Sequence, residues 1–166
     1  VIEIRKMMEE EGLHQSKDFK LWIMVEVPST VFMIEELCKT GIDGVSIGSN
    51  DLTQLILGVD RDNAAIASEF DERSTAVLRA IQHVISVCRR YGVTTSICGQ
   101  APSVYPEIAE KLVEFGTTSI SVNPDAIERT RKIVAAAEQK VLLERTRKIA
   151  EKLGILEEDV KHTPTH

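Results

Sequence analysis

Apolar positions along the chain fall into short runs that predict strands and longer one-sided stripes that predict helices. Four runs rich in β-branched or apolar residues predict buried parallel strands at residues 21–27, 44–48, 94–98 and 119–122. Each run ends in a turn signal, and helical periodicity follows each turn. Strands that alternate with helices in this order predict an α/β protein with a parallel sheet and right-handed crossovers.

The helical stripes predict how consecutive strands are connected. Three stripes end just before or close to a glycine, a common helix stop, and they cover residues 31–38, 77–91 and 106–115. A longer excursion over residues 52–73 separates the second strand from its helix and is long enough to form a lid or a substrate loop. The last stripe begins near Asp125 and runs toward Leu153, either as one helix or with a kink or a second helix.

This alternation fits either an open doubly wound sheet or part of an eight-unit barrel. No Gly-x-Gly-x-x-Gly fingerprint follows a predicted strand, which argues against a dinucleotide-binding sheet. The six residues Glu-Arg-Thr-Arg-Lys-Ile occur at 128–133 and again at 144–149. We interpret this short match as a solvated helical face, because it lies below the usual repeat periods.

Composition and charge narrow the class of protein. The chain of 166 residues is 43% hydrophobic and 28% charged, which is typical of one globular domain. Its formal net charge is −6 and its basic residues are interleaved with acids, so we expect no nucleic-acid partner. No apolar run approaches the roughly 20 residues that span a bilayer, and no signal pattern is present, so we expect no membrane partner and a cytoplasmic location.

Glu26 and Asp51 stand where the first two predicted strands end. In a parallel barrel all strand carboxyl ends open on one face, where the catalytic loops lie. Two carboxylates there suit Mg²⁺, which prefers hard oxygen ligands, and Mn²⁺ is the alternative ion. The alternatives are a salt bridge or a cap of the helix near Ser29 for Glu26, and a helix N-cap for Asp51.

Cys98 differs in context from the other two cysteines. Cys38 and Cys88 lie on apolar helical stripes and are interpreted as core residues. Cys98 ends a predicted strand and precedes Gly99, whose missing side chain permits a tight turn and close approach by a ligand. A thiol there can transfer a proton or act as a nucleophile, with a structural role as the alternative. The odd number of cysteines without metal-ligand spacing predicts reduced thiols.

Four motifs in consistent order resemble the C-terminal domain of the PEP-utilising enzymes. They are Met-Val-Glu-Val-Pro at 24–28, Ser-Ile-Gly-Ser-Asn-Asp-Leu-Thr-Gln at 46–54, Gly-Val-Asp-Arg-Asp at 58–62 and Ile-Cys-Gly-Gln at 97–100. Pyruvate phosphate dikinase and enzyme I of the sugar phosphotransferase system usually have Glu where this chain has Gln100. That difference, with Ser-Val-Asn-Pro-Asp at 121–125, resembles the synthase branch of the family.

The resemblance implies a fold and a division of the chain. The implied fold is α/β, the C-terminal half of a (β/α)8 TIM-type barrel, with four βα units plus a C-terminal helical extension. We expect an N-terminal helix and linker at 1–20, the half-barrel that binds phosphoenolpyruvate or pyruvate at 21–139, and a helical extension and tail at 140–166. The tail is expected to be frayed from residue 161.

The resemblance also implies roles for individual residues. It implies that Glu26 and Asp51 hold Mg²⁺, and that Cys98 moves a proton at the methyl or methylene carbon of the substrate. It implies that Asn50 contacts the substrate's phosphate or carboxylate, and we expect further substrate contacts from Gly48, Ser49 and Gly99.

The implied reaction forms phosphoenolpyruvate from pyruvate and ATP through a phosphohistidine. The phosphohistidine and ATP-binding domains would be partners elsewhere in the full-length enzyme, so this chain is expected to be a fragment, inactive by itself, and part of a homo-oligomer. Alternatives within the family are the dikinase and the enzyme I type of phosphotransferase. The alternative from another class is a non-catalytic oligomerisation module.

Overall fold

The fold contains one parallel sheet of four strands, and the computed structural model describes residues 1–154. The strands follow one another across the sheet in chain order, β1 (Trp22–Val25), β2 (Gly44–Gly48), β3 (Thr94–Cys98) and β4 (Ser119–Ile120). The predicted α/β class with a parallel sheet is therefore confirmed. β1 and β4 are shorter than predicted, because β1 pairs with β2 only as far as Val25 and β4 pairs with β3 at two positions.

Within the described residues, six helices connect consecutive strands, one helix precedes β1, and one follows β4. They are α1 (Ile2–Glu10), α2 (Pro28–Phe32), α3 (Ile34–Lys39), α4 (Ser49–Leu57), α5 (Thr75–Arg90), α6 (Ala101–Val104), α7 (Pro106–Phe115) and α8 (Ile127–Lys152). Short 3-10 turns lie at Ala67–Glu69 and Pro124–Ala126.

Three connections differ from the sequence prediction. The stripe after β1 is divided into α2 and α3 at Met33. The excursion does not begin at residue 52, because α4 starts directly after β2 and ends at Gly58, whose φ of 66° is the left-handed conformation of a helix stop. The loop before α5 therefore covers residues 58–74. α8 is one continuous helix over Ile127–Lys152, so the alternative of a second helix is wrong.

One face of the sheet is buried against helices. Val25, Val45, Ile47 and Ile97 are fully buried on this face. The helices α3, α5 and α7 cover it with apolar side chains, among them Ile34, Ile81, Val84, Ile85 and Leu112. The first three predicted stripes are confirmed at most positions, since Val31, Val77 and Ile108 lie in this core, whereas Tyr91 is 40% exposed. Of the fourth stripe Ala137 is buried, but Ile127, Ile149 and Leu153 are exposed. The hydrophobic core thus lies on one side of the sheet only.

The opposite face of the sheet is open and largely polar. Side chains alternate across a strand, so Met24, Ser46, Ser96 and Cys98 share this second face. Trp22 and Met24 are 40% and 45% exposed on it. Within residues 1–154, β1 and β4 pair with no strand on their outer sides.

No helix within residues 1–154 combines the length and the apolar character that crossing a membrane requires. The residues predicted to be frayed, 161–166, lie outside the described part of the chain. The predicted division at 139/140 falls inside α8, and the three-region organisation remains a prediction.

Candidate active site

Cys98 lies at the carboxyl end of β3 on the open face of the sheet. Its Sγ is 3.2 Å from Ser46 Oγ, which donates a hydrogen bond to it. The thiol hydrogen has two acceptors within reach, the Ile47 carbonyl oxygen at 3.5 Å and Met24 Sδ at 3.6 Å. Cys98 is half-buried. Two neighbouring strands therefore hold the thiol at the sheet surface while one side remains accessible.

Glu26 follows β1 directly and lies next to this thiol site. Gly48 makes the space for it, because a Cβ on Gly48 would lie 3.0 Å from Glu26 Cβ and 3.4 Å from Met24 Sδ. Gly48 is also the register partner of Cys98. The alternative roles for Glu26 are wrong: the N-cap of α2 is Val27, and no ion pair within 4.0 Å engages Glu26 in the described part of the chain.

Asp51 lies in the first turn of α4, immediately beyond β2. The N-cap of this helix is Gly48, so the alternative of Asp51 as an N-cap is wrong. Gln54 Nε2 donates to Asp51 Oδ1 at 3.2 Å. Glu26 and Asp51 line the same cleft of about 600 Å³, and Asp60 contributes a third carboxylate to its wall.

The carboxylates of Glu26 and Asp51 are oxygen ligands of the kind that a divalent cation such as Mg²⁺ prefers. Residues 1–154 contain no group of three or more acidic, histidine or cysteine side chains close enough to hold a metal ion. Mg²⁺ commonly takes one or two protein carboxylates and completes its octahedral shell with waters and substrate oxygens. Glu26 and Asp51, as two carboxylates on one cleft, match that pattern.

Ser49 follows β2, Gly99 follows β3, and the two residues are in close contact. Gly99 has a φ of +128°, and a Cβ at this position would overlap Ser49 Oγ. Ser49 Oγ is 3.3 Å from the Cys98 carbonyl oxygen. Glycine is therefore required at residue 99 both by its backbone conformation and by the close approach of Ser49.

Two residues in the loop 58–74, Arg61 and Glu72, belong to this site although no role for them is predicted from the sequence. Glu72, only 5% exposed, accepts a hydrogen bond from Ser49 Oγ at 2.7 Å. With the Asn50 carboxamide in the orientation that satisfies both its ends, Nδ2 donates to Glu72 Oε1 at 3.1 Å and Oδ1 accepts from Arg61 Nη1 at 3.0 Å. Gln54 Oε1 accepts from the Arg61 backbone N–H at 3.1 Å.

The sequence offers different signals for these two residues. Arg61 lies within the Gly-Val-Asp-Arg-Asp motif, so its position could have been singled out. Glu72 lies in an irregular segment without hydrophobic periodicity, and no pattern in the sequence marks it. Its role depends on a contact with Ser49 across the fold, which spacing alone does not reveal.

Burial perturbs the acidity of several groups. Burial raises the pKa of Glu72, whereas the hydrogen bond from Ser49 and the charge of Arg61 act to lower it. Cys38 and Cys88 are buried with their sulfurs 3.9 Å apart. Burial raises the pKa of Cys38, and that of Cys88 to about 12, so their interpretation as core thiols is confirmed.

Comparison with known proteins identifies close relatives by sequence. The family described as PEP-utilising enzyme, PEP-binding domain, matches residues 1–139. Phosphoenolpyruvate synthase of Aeropyrum pernix is 57% identical over 153 residues, 91% of this chain and 18% of that protein. Phosphoenolpyruvate synthase of Pyrococcus furiosus is 51% identical over 139 residues, 84% of this chain and 17% of that protein. The chain thus spans about 18% of the length of the relatives it matches.

Solved structures share the fold at low sequence identity. A citrate lyase from Burkholderia xenovorans LB400 aligns with a TM-score of 0.54 and 21% identity, over 98% of this chain and 52% of that one. An HpcH/HpaI aldolase/citrate lyase family protein from Burkholderia cenocepacia J2315 aligns with a TM-score of 0.52 and 21% identity, over 88% of this chain and 47% of that one. The likeness is one of fold alone, to a TIM-barrel-like family.

Proposed function

This chain belongs to the PEP-utilising enzymes, through their PEP-binding domain, and from that premise we propose that it forms part of a phosphoenolpyruvate synthase active site. The proposed reaction makes phosphoenolpyruvate from pyruvate and ATP through a phosphohistidine, in the cytoplasm. One observation carries the proposal: Glu26, Asn50, Asp51 and Cys98 lie at the carboxyl ends of three adjacent parallel strands. The family resemblance predicted from the motifs is confirmed by the family match and the relatives.

The four strands are proposed to be half of an eight-stranded barrel. The polar open face of the sheet supports this proposal, because it would become the barrel interior. The outer edges of β1 and β4 also support it, since each offers unpaired backbone groups to a further strand. The remaining strands, and the phosphohistidine and ATP-binding domains, would come from other parts of the full-length enzyme.

Glu26 and Asp51 are the proposed ligands of Mg²⁺, with Mn²⁺ as the alternative. A bound divalent ion supplies positive charge that stabilises negative charge developing on a substrate oxygen. Gly48 supports this role indirectly, because the absence of a side chain there leaves room for the Glu26 carboxylate.

Cys98 is the proposed proton-transfer residue. In the direction of phosphoenolpyruvate formation, Sγ acts as the thiolate and takes a proton from the methyl carbon of pyruvate, which makes it a thiol. The resulting enolate oxygen accepts the phosphoryl group from the phosphohistidine, which is left as free histidine. In the reverse direction Sγ returns the proton to the methylene carbon. Ser46 holds the sulfur in position through the 3.2 Å contact with its hydroxyl group.

Asn50 and Arg61 are the proposed contacts for the anionic groups of the substrate. Arg61 supplies the positive charge, and the first turn of α4, which contains Ser49 and Asn50, presents backbone N–H groups at the end of β2. Ser49, Gly48 and Gly99 are the further proposed substrate contacts at the ends of β2 and β3. The two glycines act by letting Glu26 and Ser49 pack closely against the backbone there.

Proton exchange in the full-length enzyme tests the assignment of Cys98. Cys98→Ala should lose phosphoenolpyruvate formation and the exchange of pyruvate methyl protons with solvent deuterium, by at least about 100-fold. The ATP-dependent phosphorylation of the histidine should be retained, because it takes place on other domains. Cys38→Ala is the matched thiol control and should keep methyl-proton exchange. Unchanged exchange in Cys98→Ala contradicts the proposed role.

Self-association is a second proposal, and α8 carries the observation that favours it. Leu142 and Leu143 on this helix are 62% and 60% exposed, and Ile149 is 57% exposed. Exposed apolar side chains grouped on one helix are typical of a contact between subunits. Light scattering on the full-length enzyme should give a mass above that of one chain, and L142E/L143E should lower it. An unchanged mass in that variant contradicts a role for α8.

A further inference from the structure

Glu72 is the one charged side chain that is buried within residues 1–154. It belongs to the irregular loop 58–74 rather than to a helix or a strand. Burying a carboxylate is unfavourable unless hydrogen-bond donors and opposite charges compensate for the lost hydration. The contacts of this carboxylate therefore indicate why the fold retains a charged group in this position.

A single oxygen of Glu72 joins two loops of the proposed active site. Oε1 accepts from Ser49 Oγ at 2.7 Å and from Asn50 Nδ2 at 3.1 Å. Ser49 Oγ also lies 3.3 Å from the carbonyl oxygen of Cys98. The carboxylate is thus hydrogen-bonded to two consecutive residues at the end of β2, and Ser49, whose single hydroxyl proton goes to Glu72, packs against the end of β3.

The carboxylate also determines which way the Asn50 carboxamide points. A carboxylate only accepts hydrogen bonds, so the end of the carboxamide that faces Glu72 must be the NH₂ group. The carbonyl end then faces Arg61 and accepts from its Nη1 at 3.0 Å. In the opposite orientation, NH₂ would face a guanidinium that has no acceptor to offer, and the carbonyl would face a carboxylate that has no donor.

We propose that Glu72 is a positioning residue, which fixes the Asn50 carboxamide and through it the Arg61 guanidinium where the anionic substrate binds. The inference rests on the proposed function, because it assigns Glu72 to the same site. Glu72 itself does not touch the substrate. Burial raises its pKa and Asp71 adds to the increase, whereas Ser49 and Arg61 favour the charged form that the positioning requires.

Glu72→Gln is the sharpest test of this inference. A glutamine has nearly the same shape, but its amide can donate as well as accept, so it no longer dictates the orientation of Asn50. In the full-length enzyme, E72Q should raise KM for pyruvate by about tenfold or more, with a smaller effect on kcat. Glu69 lies in the same loop and is exposed, and E69Q should therefore leave both constants unchanged.

A double-mutant cycle separates positioning from general support of the loop. If Glu72 acts through Asn50, the effect of E72Q on KM should largely disappear in an N50A background. Unchanged KM for E72Q, or the same increase in both backgrounds, overturns the inference. A general loss of stability in E72Q would change KM equally with and without N50A, so the cycle distinguishes it from positioning of Asn50.

Failure of the inference and failure of the proposed function give different results. The proposed function fails if the wild-type enzyme forms no phosphoenolpyruvate from pyruvate and ATP, or if Cys98→Ala exchanges methyl protons normally. The inference about Glu72 fails if an enzyme that does form phosphoenolpyruvate keeps its KM in E72Q.

Discussion

Trp22 packs directly against Gly44 on the open face of the sheet. The two residues are register partners on β1 and β2, and a Cβ on Gly44 would overlap the indole ring. Trp22 is the single tryptophan of the chain and is 40% exposed. The ring therefore lies across a backbone surface that only glycine provides.

Gly44→Ala should displace the indole ring and destabilise the fold. The added methyl group has no space beside Trp22, so the free energy of unfolding should fall by about 1–3 kcal/mol. Urea denaturation followed by circular dichroism measures this change, and tryptophan fluorescence reports the altered ring position. In a Trp22→Ala background most of the loss should disappear, and an undiminished loss there contradicts the packing explanation.

Gly99→Ala should destabilise the fold more than Gly41→Ala does. Both glycines have positive φ values, +128° and +83°, but a Cβ at Gly41 meets no atom within 4 Å whereas one at Gly99 overlaps Ser49. Backbone strain of this kind costs about 1–3 kcal/mol at either position, and the overlap adds to it only at Gly99. Equal losses of unfolding free energy in the two variants would show that Ser49 does not constrain this turn.

Alkylating reagents should modify Cys98 before the other two cysteines. Cys38 and Cys88 are buried and their pKa values are raised, that of Cys88 to about 12, so they present little thiolate. Peptide mass spectrometry after brief iodoacetamide treatment identifies the modified residues. In the full-length enzyme, added phosphoenolpyruvate should slow modification of Cys98. All three thiols should react at comparable rates in denaturant, and early modification of Cys88 in the native protein would be contrary to this prediction.

The stability of Glu72→Gln should improve relative to wild type as the pH rises. Because burial raises the pKa of Glu72 above its ordinary value of 4.5, the folded state holds the proton more tightly than the unfolded state. Its contribution to stability is therefore full below that value and is lost as the pH rises through the folded pKa. Glutamine does not titrate. Chemical denaturation between about pH 4 and pH 8 should show the free energy of unfolding of E72Q rising relative to that of wild type. A constant or falling difference contradicts the raised pKa.

The sequence predicts the location of the strand-end residues because their signal is local. Glu26 and Cys98 each end an apolar run and precede a turn, and alternation along a strand assigns Cys98 to the face opposite the core. The bounds of β1 were harder to predict. Residues 26 and 27 have strand-like neighbours, but pairing with β2 stops at Val25, and pairing is a property of two distant segments.

Residue types alone do not predict where the loop before α5 begins, because they do not reveal α4. Ser49, Asn50 and Asp51 are common in turns, yet they form the first turn of α4, because Leu52 and Thr53 are buried against the rest of the fold. Glu72 was missed for the same kind of reason. Its partner Ser49 lies on a different element, and only the folded chain brings the two together.

The order of the strands across the sheet has a consequence for folding. Each strand pairs with the strand that precedes it in the chain, so every sheet contact forms between consecutive units. Each strand can therefore dock onto the strand that precedes it as synthesis proceeds from the N-terminus. The carboxylates Glu26 and Asp51 emerge from the ribosome before Cys98. Pairing of β3 with β2 then brings the thiol to the same edge of the sheet.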